Sequence, residues 1–366
     1  MTLAAAFLFA VSCNELSIVE EQDAEFAISM SPGVDVTTKA AIDGTTFPTT
    51  RSMKVSAYYN APSGRGTSAN YFSNTRFVYN STDQVWAAED TKYWPFNCTA
   101  GSDPQGTLDF FAYSVSDNGT GACDIAGYSP TYLTNVAQGA TVVVPDNFTN
   151  QYDMIFGRST GCMRTTSGTA KQKAVPMTMR HAMALIVFTA SCNVERNTTT
   201  NTGITINSIV LEDAFFGGTV AMNCTAAAGS QCTWSSLTGQ HGPSASASAN
   251  KAGFSLSMSN YDVPTTIMNI ASSGNHMGIG GVGILVPEQS VTKFYITYTL
   301  HNGKNDAGTA VDNTLTYLYE IPSTVDSGKW LEGKKYNYRI AFTLTGITIT
   351  PTVTDWTPQA VDVPIS

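Results

Sequence analysis

Apolar and polar residues alternate in short runs along most of the chain. The run 336–344 is the clearest, because Tyr336, Tyr338, Ile340 and Phe342 are separated by single residues. A period of two is typical of a β-strand with one face in a core. Further short runs lie at 26–30, 55–59, 76–79, 85–88, 108–114, 141–144, 204–211, 253–258, 284–287, 293–300 and 314–321. Short strands at this spacing predict an all-β chain built of β-sandwiches.

The alternation restarts strongly after a polar stretch and divides the chain into two units. Apart from His181, apolar residues occupy every second position from Val175 to Val187, and 184–188 is apolar on both faces. This pattern predicts one long strand through a core, carrying His181. A chain of 366 residues suits two domains. We predict two tandem β-sandwich domains, 14–172 and 173–366, after an N-terminal segment 1–13.

The first predicted strand is followed by a stretch suited to proteolysis. Ser31, Pro32 and Gly33 are turn residues and predict the end of the strand 26–30. The next residues, 34–50, are weakly hydrophobic and predict an exposed loop. Lys39 lies in this loop and Arg51 just beyond it, so both are candidate sites for a trypsin-like protease.

Strand patterning continues to the last residue. Beyond Gly346 the apolar positions change parity, which predicts a flipped face or a bulge. The terminal segment is either the last strand of its own sheet or a strand donated to a sheet of another molecule. The candidate donor residues are Val353, Trp356, Val361, Val363 and Ile365.

The composition limits the classes of partner. Charged residues make up 13% of the chain, and the formal net charge is −9. Nucleic acids and anionic membranes are bound through basic patches, and no basic cluster occurs here. We therefore expect no nucleic-acid partner.

The first thirteen residues are typical of an export signal. They form an apolar run that is too short to span a bilayer and ends at Cys13. Ala10, Val11, Ser12 and Cys13 resemble a bacterial lipobox, in which the cysteine is lipidated, although Ala10 stands where leucine is usual. A plain secretory signal is the alternative. We predict a lipid anchor at Cys13 to the outer membrane.

The other cysteines leave two interpretations open. Their even number in an exported chain permits three disulfides, and Cys224 and Cys232 are close enough in sequence to join one hairpin. Alternatively, most of them are small buried residues. They lack CxxC spacing, so no metal site is predicted. The six are Cys98, Cys123, Cys162, Cys192, Cys224 and Cys232.

No motif assigns an enzymatic reaction. Residues 278–283 match GxGxxG, but a short strand follows where a dinucleotide site requires a helix. His181 shares its face with methionines, which favours a structural histidine. A Ser-His-Asp site stays open, because its members meet only in space. We predict no catalytic residue, no metal and no cofactor.

Aromatic residues offer one alternative binding function. Tyr58, Tyr59, Tyr71 and Trp86 lie on short predicted strands and loops, where exposed rings would form a sugar-binding platform. Packing of the same rings in a sandwich core is the competing interpretation.

Seven short stretches stand out together by their order and spacing. They are TTKA at 37–40, WP at 94–95, LDFFAY at 108–113, DMIFG at 153–157, MRHAMA at 179–184, ILVPEQ at 284–289 and WLEGKKYNY at 330–338. Together they resemble the fimbrillins, or type V pilins, of the Bacteroidales. Cys13 resembles the family's lipidation site, and Lys39 lies where members carry a Thr-Arg-Ala processing site.

This resemblance implies a fold and a way of assembly. It implies two transthyretin-like β-sandwich domains, export as a lipoprotein and a place in cell-surface fimbriae. In this family a trypsin-like protease removes the N-terminal strand, and a strand of another subunit fills the vacated groove. The implied partners are other pilin subunits and the processing protease, with cell adhesion as the role. A monomeric surface lipoprotein binding glycan or host protein is the alternative function, and a secreted hydrolase is a third.

Overall fold

The computed structural model describes residues 26–33, 47–64, 66–102, 105–115, 131–132, 139–144, 153–164, 174–212, 214–223, 232–238, 254–270, 283–291 and 293–355. Regular structure in these ranges is almost entirely β-strand, with a short 3₁₀ turn at Phe96–Cys98. The all-β fold class is confirmed.

The strands, in chain order, are β1 Ser29–Gly33, β2 Met53–Asn60, β3 Ala69–Asn80, β4 Val85–Ala88, β5 Thr107–Val115, β6 Thr131–Tyr132, β7 Gly139–Val144, β8 Met154–Cys162, β9 Val175–His181, β10 Ala184–Cys192, β11 Thr202–Leu211, β12 Gly217–Asn223, β13 Cys232–Thr238, β14 Phe254–Asp262, β15 Met268–Asn269, β16 Ile284–Val286, β17 Gln289–Ser290, β18 Lys293–Lys304, β19 Ala310–Glu320, β20 Lys329–Trp330, β21 Lys334–Thr343 and β22 Gly346–Asp355.

Seven strands form a sheet that closes on itself in the order β1-β4-β3-β2-β5-β8-β9. β1 completes the closure, since it pairs antiparallel with β4 and parallel with β9. The apolar faces of these strands meet inside in one core cluster that contains Phe77, Trp94 and Phe110. Gly157 on β8 is required by close packing, because a Cβ there would lie 2.4 Å from the Thr178 carbonyl oxygen of β9.

Two further sheets pack face to face. One has the order β15-β10-β21-β22, with β16 also paired to β10, and the other has the order β14-β11-β18-β19. Aromatic rings join the two faces: the ring centroids of Phe188 and Phe294 are 5.2 Å apart, as are those of Tyr298 and Phe342. This is the interior of a β-sandwich, and it accounts for the alternation seen at 336–344.

The WLEGKKYNY stretch is a buried polar network inside this second core. Trp330, Tyr336 and Tyr338 are almost fully buried. The Trp330 indole N–H donates to the Tyr338 hydroxyl oxygen at 2.8 Å, and the Tyr336 hydroxyl donates to Asp326 at 2.6 Å. Burial is the main cause that raises the pKa of both tyrosines. The large rings are therefore tolerated in the core because their polar atoms bond to one another and to the next turn.

A fourth sheet combines the two halves of the chain. Its order is β13-β12-β7-β6, so β7 of the first half pairs with β12 of the second. Its apolar face joins a core cluster that includes Phe111 of β5 and Leu185 of β10. The division into domains 14–172 and 173–366 stays a prediction.

The prediction of one strand from Val175 through Val187 is wrong. β9 ends at His181 in the closed sheet, and β10 begins at Ala184 in the sandwich. Between them, the Ala182 N–H donates to the Met154 carbonyl oxygen at 2.9 Å, and the Met183 carbonyl oxygen accepts from Gly333 at 3.0 Å. The apolar alternation continues across the boundary because the apolar residues of β9, of β10 and of the two positions between them are all buried.

The predicted end of the first strand at Ser31 is also wrong. Pro32 and Gly33 continue β1 and pair with Met177 and Thr178. Beyond Met30, β9 is the one neighbour of β1 among the described residues. Pro32 is therefore at an edge position, where a strand tolerates a residue without an N–H.

Three described cysteines have free thiols rather than disulfides. Cys98 and Cys192 are buried, as the second interpretation predicts, whereas Cys162 is half-buried. Burial raises the pKa of Cys98 to about 11, which suppresses the reactive thiolate. Cys123 and Cys224 lie outside the described residues.

Candidate functional site

β1 inserts large apolar side chains into the closed sheet. Ile28 is 1% exposed and Met30 is 0% exposed, and Pro32 is buried on the same face. Ser29 and Ser31 point the other way and are half-buried. The period-two pattern predicted from 26–30 is confirmed, and it extends by one more buried position.

The backbone of the segment 26–33 is paired along its whole length. The Ile28 N–H donates to the Lys92 carbonyl oxygen at 2.7 Å, and the Trp94 N–H donates to the Phe26 carbonyl oxygen at 2.9 Å. Further along, Met30 lies opposite Trp86 of β4 on one side and Val175 of β9 on the other. Loss of this segment would therefore expose two strand edges and an apolar groove between them.

Arg164 contacts the side chain at the start of this segment. Its guanidinium carbon lies 4.2 Å from the ring centroid of Phe26 and 5.5 Å from that of Phe96. Arg164 itself is held in place, because its N–H donates to the Cys98 carbonyl oxygen at 2.8 Å and its Nε donates to Thr99 Oγ1. Among the described residues no carboxylate pairs with Arg164. Its guanidinium instead makes cation–π contacts with two aromatic rings.

Phe47 is the first described residue after β1. It is fully buried and packs its ring edge-on against Trp86, with the ring centroids 5.4 Å apart. Arg51 follows in a bonded turn: its N–H donates to the Pro48 carbonyl oxygen at 2.9 Å, and its carbonyl oxygen accepts from Trp86 Nε1 at 3.0 Å. Ser52, on the other side of the bond that a protease would cut, is 2% exposed. A protease needs an extended, accessible chain, so this geometry disfavours Arg51 as the cut site.

The other predicted processing and anchoring residues cannot be placed. Lys39 and Cys13 lie outside the described residues. The assignments of Cys13 as a lipidation site and of Lys39 as a processing site stay predictions.

Val353 belongs to the last described strand. Gly346 begins β22 after a tight hairpin, in which Thr343 and Gly346 are partners, and this turn explains the change of parity. Val353 lies opposite Tyr336 and packs, with Ile347 and Ile349, against the sandwich core. Val353 thus sits in its own sheet, while Trp356, Val361, Val363 and Ile365 lie outside the described residues.

His181 is buried beside an acid. Its Nδ1 lies 3.0 Å from Asp153 Oδ2, and both side chains are completely inaccessible. Asp153 directly precedes β8, which pairs with β9 through Ile155 and His181. This contact joins neighbouring strands inside the fold, as expected for a structural histidine.

His301 has a geometry that resembles a catalytic triad. Its Nδ1 lies 2.8 Å from Asp312 Oδ1, and its Nε2 lies 2.9 Å from Thr205 Oγ1. In a triad, the histidine nitrogen accepts the hydroxyl proton of the nucleophile. Here the Thr205 hydroxyl lies 2.7 Å from Asp262 Oδ1, and a carboxylate only accepts, so Thr205 directs its proton to Asp262 and not to His301. Thr205 is also 5% exposed. We interpret the cluster as a tie between β11, β14, β18 and β19.

Acid should weaken this tie through Asp312. Hydrogen bonds from Asn201 and His301 lower the pKa of Asp312 in the folded protein from its usual value of 3.8. A depressed pKa adds stability that is present above the unfolded value and is lost as the pH falls through the folded value. We expect Asp312→Asn to lower the melting temperature near pH 6, and the difference from the wild type to shrink below about pH 3.8.

Salt and a neighbouring residue provide the controls for that measurement. The Asp312 side chain is 44% exposed, so the difference should decrease in 1 M salt. Asn313→Ala, on the next position of β19 and exposed, should have little effect. A difference between Asp312→Asn and wild type that persists unchanged below pH 3 would contradict the assignment.

Most of the candidate sugar-binding aromatic side chains pack in or against the core. Trp86 is 5% exposed and packs against Tyr79 at 4.8 Å, and Tyr59 borders the same core cluster. Tyr58 borders a second core cluster. Tyr71 is 41% exposed, with its hydroxyl donating to the Tyr93 carbonyl oxygen at 2.9 Å. The four rings therefore do not form one exposed platform.

Two other features do not occur in the described part of the chain. It contains no group of three or more His, Cys, Asp or Glu residues able to hold a metal ion, and no helix long and apolar enough to cross a membrane. Gly283, the last glycine of the GxGxxG match, precedes strand β16 and not a helix. A Cβ at Gly283 would lie 2.5 Å from the Ile186 carbonyl oxygen, so close strand packing explains this glycine.

Arg164 and Phe96 were not identified from the sequence. Arg164 lies at the start of a polar stretch that resembles a linker, and Phe96 follows the WP motif as one aromatic residue among many. A lone arginine after a strand carries no signal for stacking, because its partners Phe26 and Phe96 are distant in the sequence.

Comparisons with known proteins agree with this architecture. A fimbrial protein from Bacteroides vulgatus has a similar structure, with a TM-score of 0.53 and 14% identity over 91% of this chain and 100% of that one. Two proteins assigned to cell adhesion follow: one from Bacteroides uniformis (TM-score 0.45, 15% identity, 90% of this chain and 98% of that one) and one from Bacteroides ovatus (0.44, 16%, 91% and 98%).

Sequence comparisons identify the family. A search of curated proteins finds no match. The model of the fimbrillin-like family, in contrast, matches residues 38–356, which is most of the sequence. The Bacteroides vulgatus structure supports the same fold. The chain therefore belongs to the fimbrillin-like family.

Proposed function

We propose that this chain is a subunit of cell-surface fimbriae that joins its neighbours by donor-strand exchange after proteolysis releases the segment 26–33. Membership of the fimbrillin-like family supports a role in fimbriae and adhesion. Cys13 is the proposed lipid anchor during export, and other fimbrial subunits are the proposed partners.

The placement of β1 carries this proposal. β1 comes before every other described strand in the sequence, yet it lies between β4 and β9, where it closes the sheet. Because no described strand precedes β1, a cut after it separates it from every other described strand of the chain. Its departure would leave hydrogen-bonding edges and apolar pockets that an added strand can fill, as in β-augmentation.

The energy involved is large enough to drive exchange. Burying Ile28 and Met30 contributes roughly 3 to 6 kcal/mol, at about 1.5 to 3 kcal/mol for each large apolar side chain. A whole domain is stable by about 5 to 15 kcal/mol. A cut subunit without its strand should therefore be poorly stable and take up a replacement.

Cleavage is proposed at Lys39. Arg51 is held in a turn and its neighbour Ser52 is buried, whereas a cut at Lys39 would separate the segment 26–33 from Phe47. We expect the trypsin-treated wild-type protein to form filaments visible by electron microscopy. Lys39→Ala should stay monomeric under the same treatment, and Arg51→Ala should polymerise as the wild type does.

A reversible crosslink provides the matched control. Ser29 and Ala87 are direct partners across β1 and β4, so cysteines at both positions are spaced for a disulfide. The oxidised Ser29→Cys/Ala87→Cys variant should be cut but retain its strand and stay monomeric, and reduction should restore polymerisation. Filaments formed by the oxidised variant, or by Lys39→Ala, would contradict the proposal.

A further inference from the structure

We propose that Arg164, together with Phe96, forms a specificity site that recognises an aromatic side chain on the strand occupying the groove of β1. This inference rests on the proposed strand exchange and names the chemistry of the preferred donor. The preferred donor carries an aromatic residue two positions before the first of its buried apolar residues, in the pattern of Phe26, Ile28 and Met30.

The site is built before the strand arrives. The Arg164 backbone is bonded on both sides, because its N–H donates to the Cys98 carbonyl oxygen and its carbonyl oxygen accepts from Ala100 at 3.0 Å. Its Nε donates to Thr99 Oγ1, which fixes the plane of the guanidinium. All these contacts come from residues outside the segment 26–33. The departure of that segment therefore leaves the specificity site, a slot formed by Arg164 and Phe96, in place.

Phe26 shows which ligand the slot accepts. Arg164 is 8% exposed, and its guanidinium lies over the Phe26 ring at 4.2 Å. Phe96, at 5.5 Å from the same guanidinium, is 85% exposed although it is a large apolar residue. A strand that covered Arg164 without an aromatic residue at this position would leave the buried guanidinium with its Thr99 hydrogen bond but without a stacked ring, so an incoming strand is favoured when it returns an aromatic face to this place.

This chain's own tail does not provide that aromatic residue. When Val361, Val363 and Ile365 take the places of Ile28, Met30 and Pro32, the position of Phe26 is occupied by Gln359. Trp356 is separated from Val361 by an odd number of positions and falls on the opposite face. The tail of a second copy can therefore fill the apolar pockets but leaves the slot without an aromatic ring, so it should bind more weakly than a donor strand from a different subunit that carries the aromatic residue.

Peptide exchange on the full-length protein tests the site. A specific protease site placed within 34–46 allows the chain to be cut, and binding is then measured by displacement of a fluorescein-labelled peptide of residues 25–33. The competitors are that peptide, its Phe26→Ala form, the tail peptide 357–366 and its Gln359→Phe form. We expect Phe26→Ala to weaken binding about tenfold and Gln359→Phe to strengthen it about tenfold.

The protein variants separate stacking from simple burial. With Arg164→Gln, both aromatic effects should fall below about twofold, whereas Arg339→Gln, an exposed arginine on β21, should leave them unchanged. Because Arg164 is buried, Phe96→Ala serves as a second variant at an exposed position and should reduce both effects. The changes in the peptides themselves leave the fold untouched.

The outcomes distinguish this inference from the proposed function. Peptides that bind with the same affinity whether or not they carry the aromatic residue would overturn the Arg164 site and leave strand exchange standing. Aromatic effects that persist in full with Arg164→Gln in a folded protein would also overturn it. If no peptide binds the cut protein, strand exchange fails and the inference fails with it.

Discussion

Replacement of both Ile28 and Met30 by alanine is expected to lower the free energy of unfolding by about 4 to 10 kcal/mol. Each change removes a fully buried side chain from the closed sheet, and such truncations cost about 2 to 5 kcal/mol. This is a large part of the stability of a typical domain. Urea denaturation followed by circular dichroism measures the change.

The opposite face of the same strand provides the control. Ser29→Ala and Ser31→Ala change half-buried residues that point away from the core, so their combined effect should stay below about 1 kcal/mol. A loss below about 1 kcal/mol for the Ile28 and Met30 variant would show that β1 does not belong to the stable core. The strand would then be no model for a donor.

Cleavage would change how this contribution depends on concentration. In the intact chain, β1 is tethered to the fold, so its binding is intramolecular. After a cut between Gly33 and Phe47, the strand becomes a ligand that binds the folded protein, and its stabilising effect falls on dilution. The same contacts can then hold the monomer closed before processing and select a new strand afterwards.

The alternation of apolar and polar residues predicted which segments are strands, since it depends only on which face is buried. It identified β4 with its observed bounds and the buried faces of β9 and β21. It failed between Ala182 and Met183, where both flanking strands are buried and no glycine or proline marks the change of sheet. Periodicity shows which faces of a strand are buried, but it does not identify the strand with which it pairs.

The pairing on which the proposed function rests is of this kind. β1 lies parallel to β9, about 145 residues later in the chain, and nothing in either segment specifies the other. The Arg164 slot and the His301 tie likewise join residues brought together only by long-range pairing. The donor role of the tail stays a prediction, because its pattern predicts a strand but does not specify the sheet that the strand joins.

Deletion of residues 359–366 is expected to abolish polymerisation while leaving the monomer folded. β22 is complete without this segment, because its ladder with β21 runs from Gly346 to Asp355, opposite Lys334. Its inward residues Ile347, Ile349 and Val353 already pack on the sandwich core, and its other face carries exposed threonines. The deleted residues include Val361, Val363 and Ile365, which can alternate into the groove vacated by β1 in the next subunit. That contact is head-to-tail and does not close, so it extends into a fibre.

The competing interpretation makes a different prediction for the same variant. If Val361, Val363 and Ile365 complete the sandwich of their own molecule, the deletion removes buried side chains worth about 1.5 to 3 kcal/mol each and lowers the melting temperature by several degrees. The donor interpretation predicts an unchanged melting temperature, normal cleavage at Lys39 and no filaments. Asp362→Asn is the matched control within the tail, since it lies on the face opposite the three apolar residues and should polymerise normally. A truncated protein that still forms filaments would exclude this tail as the donor and point to a strand from elsewhere in the neighbouring subunit.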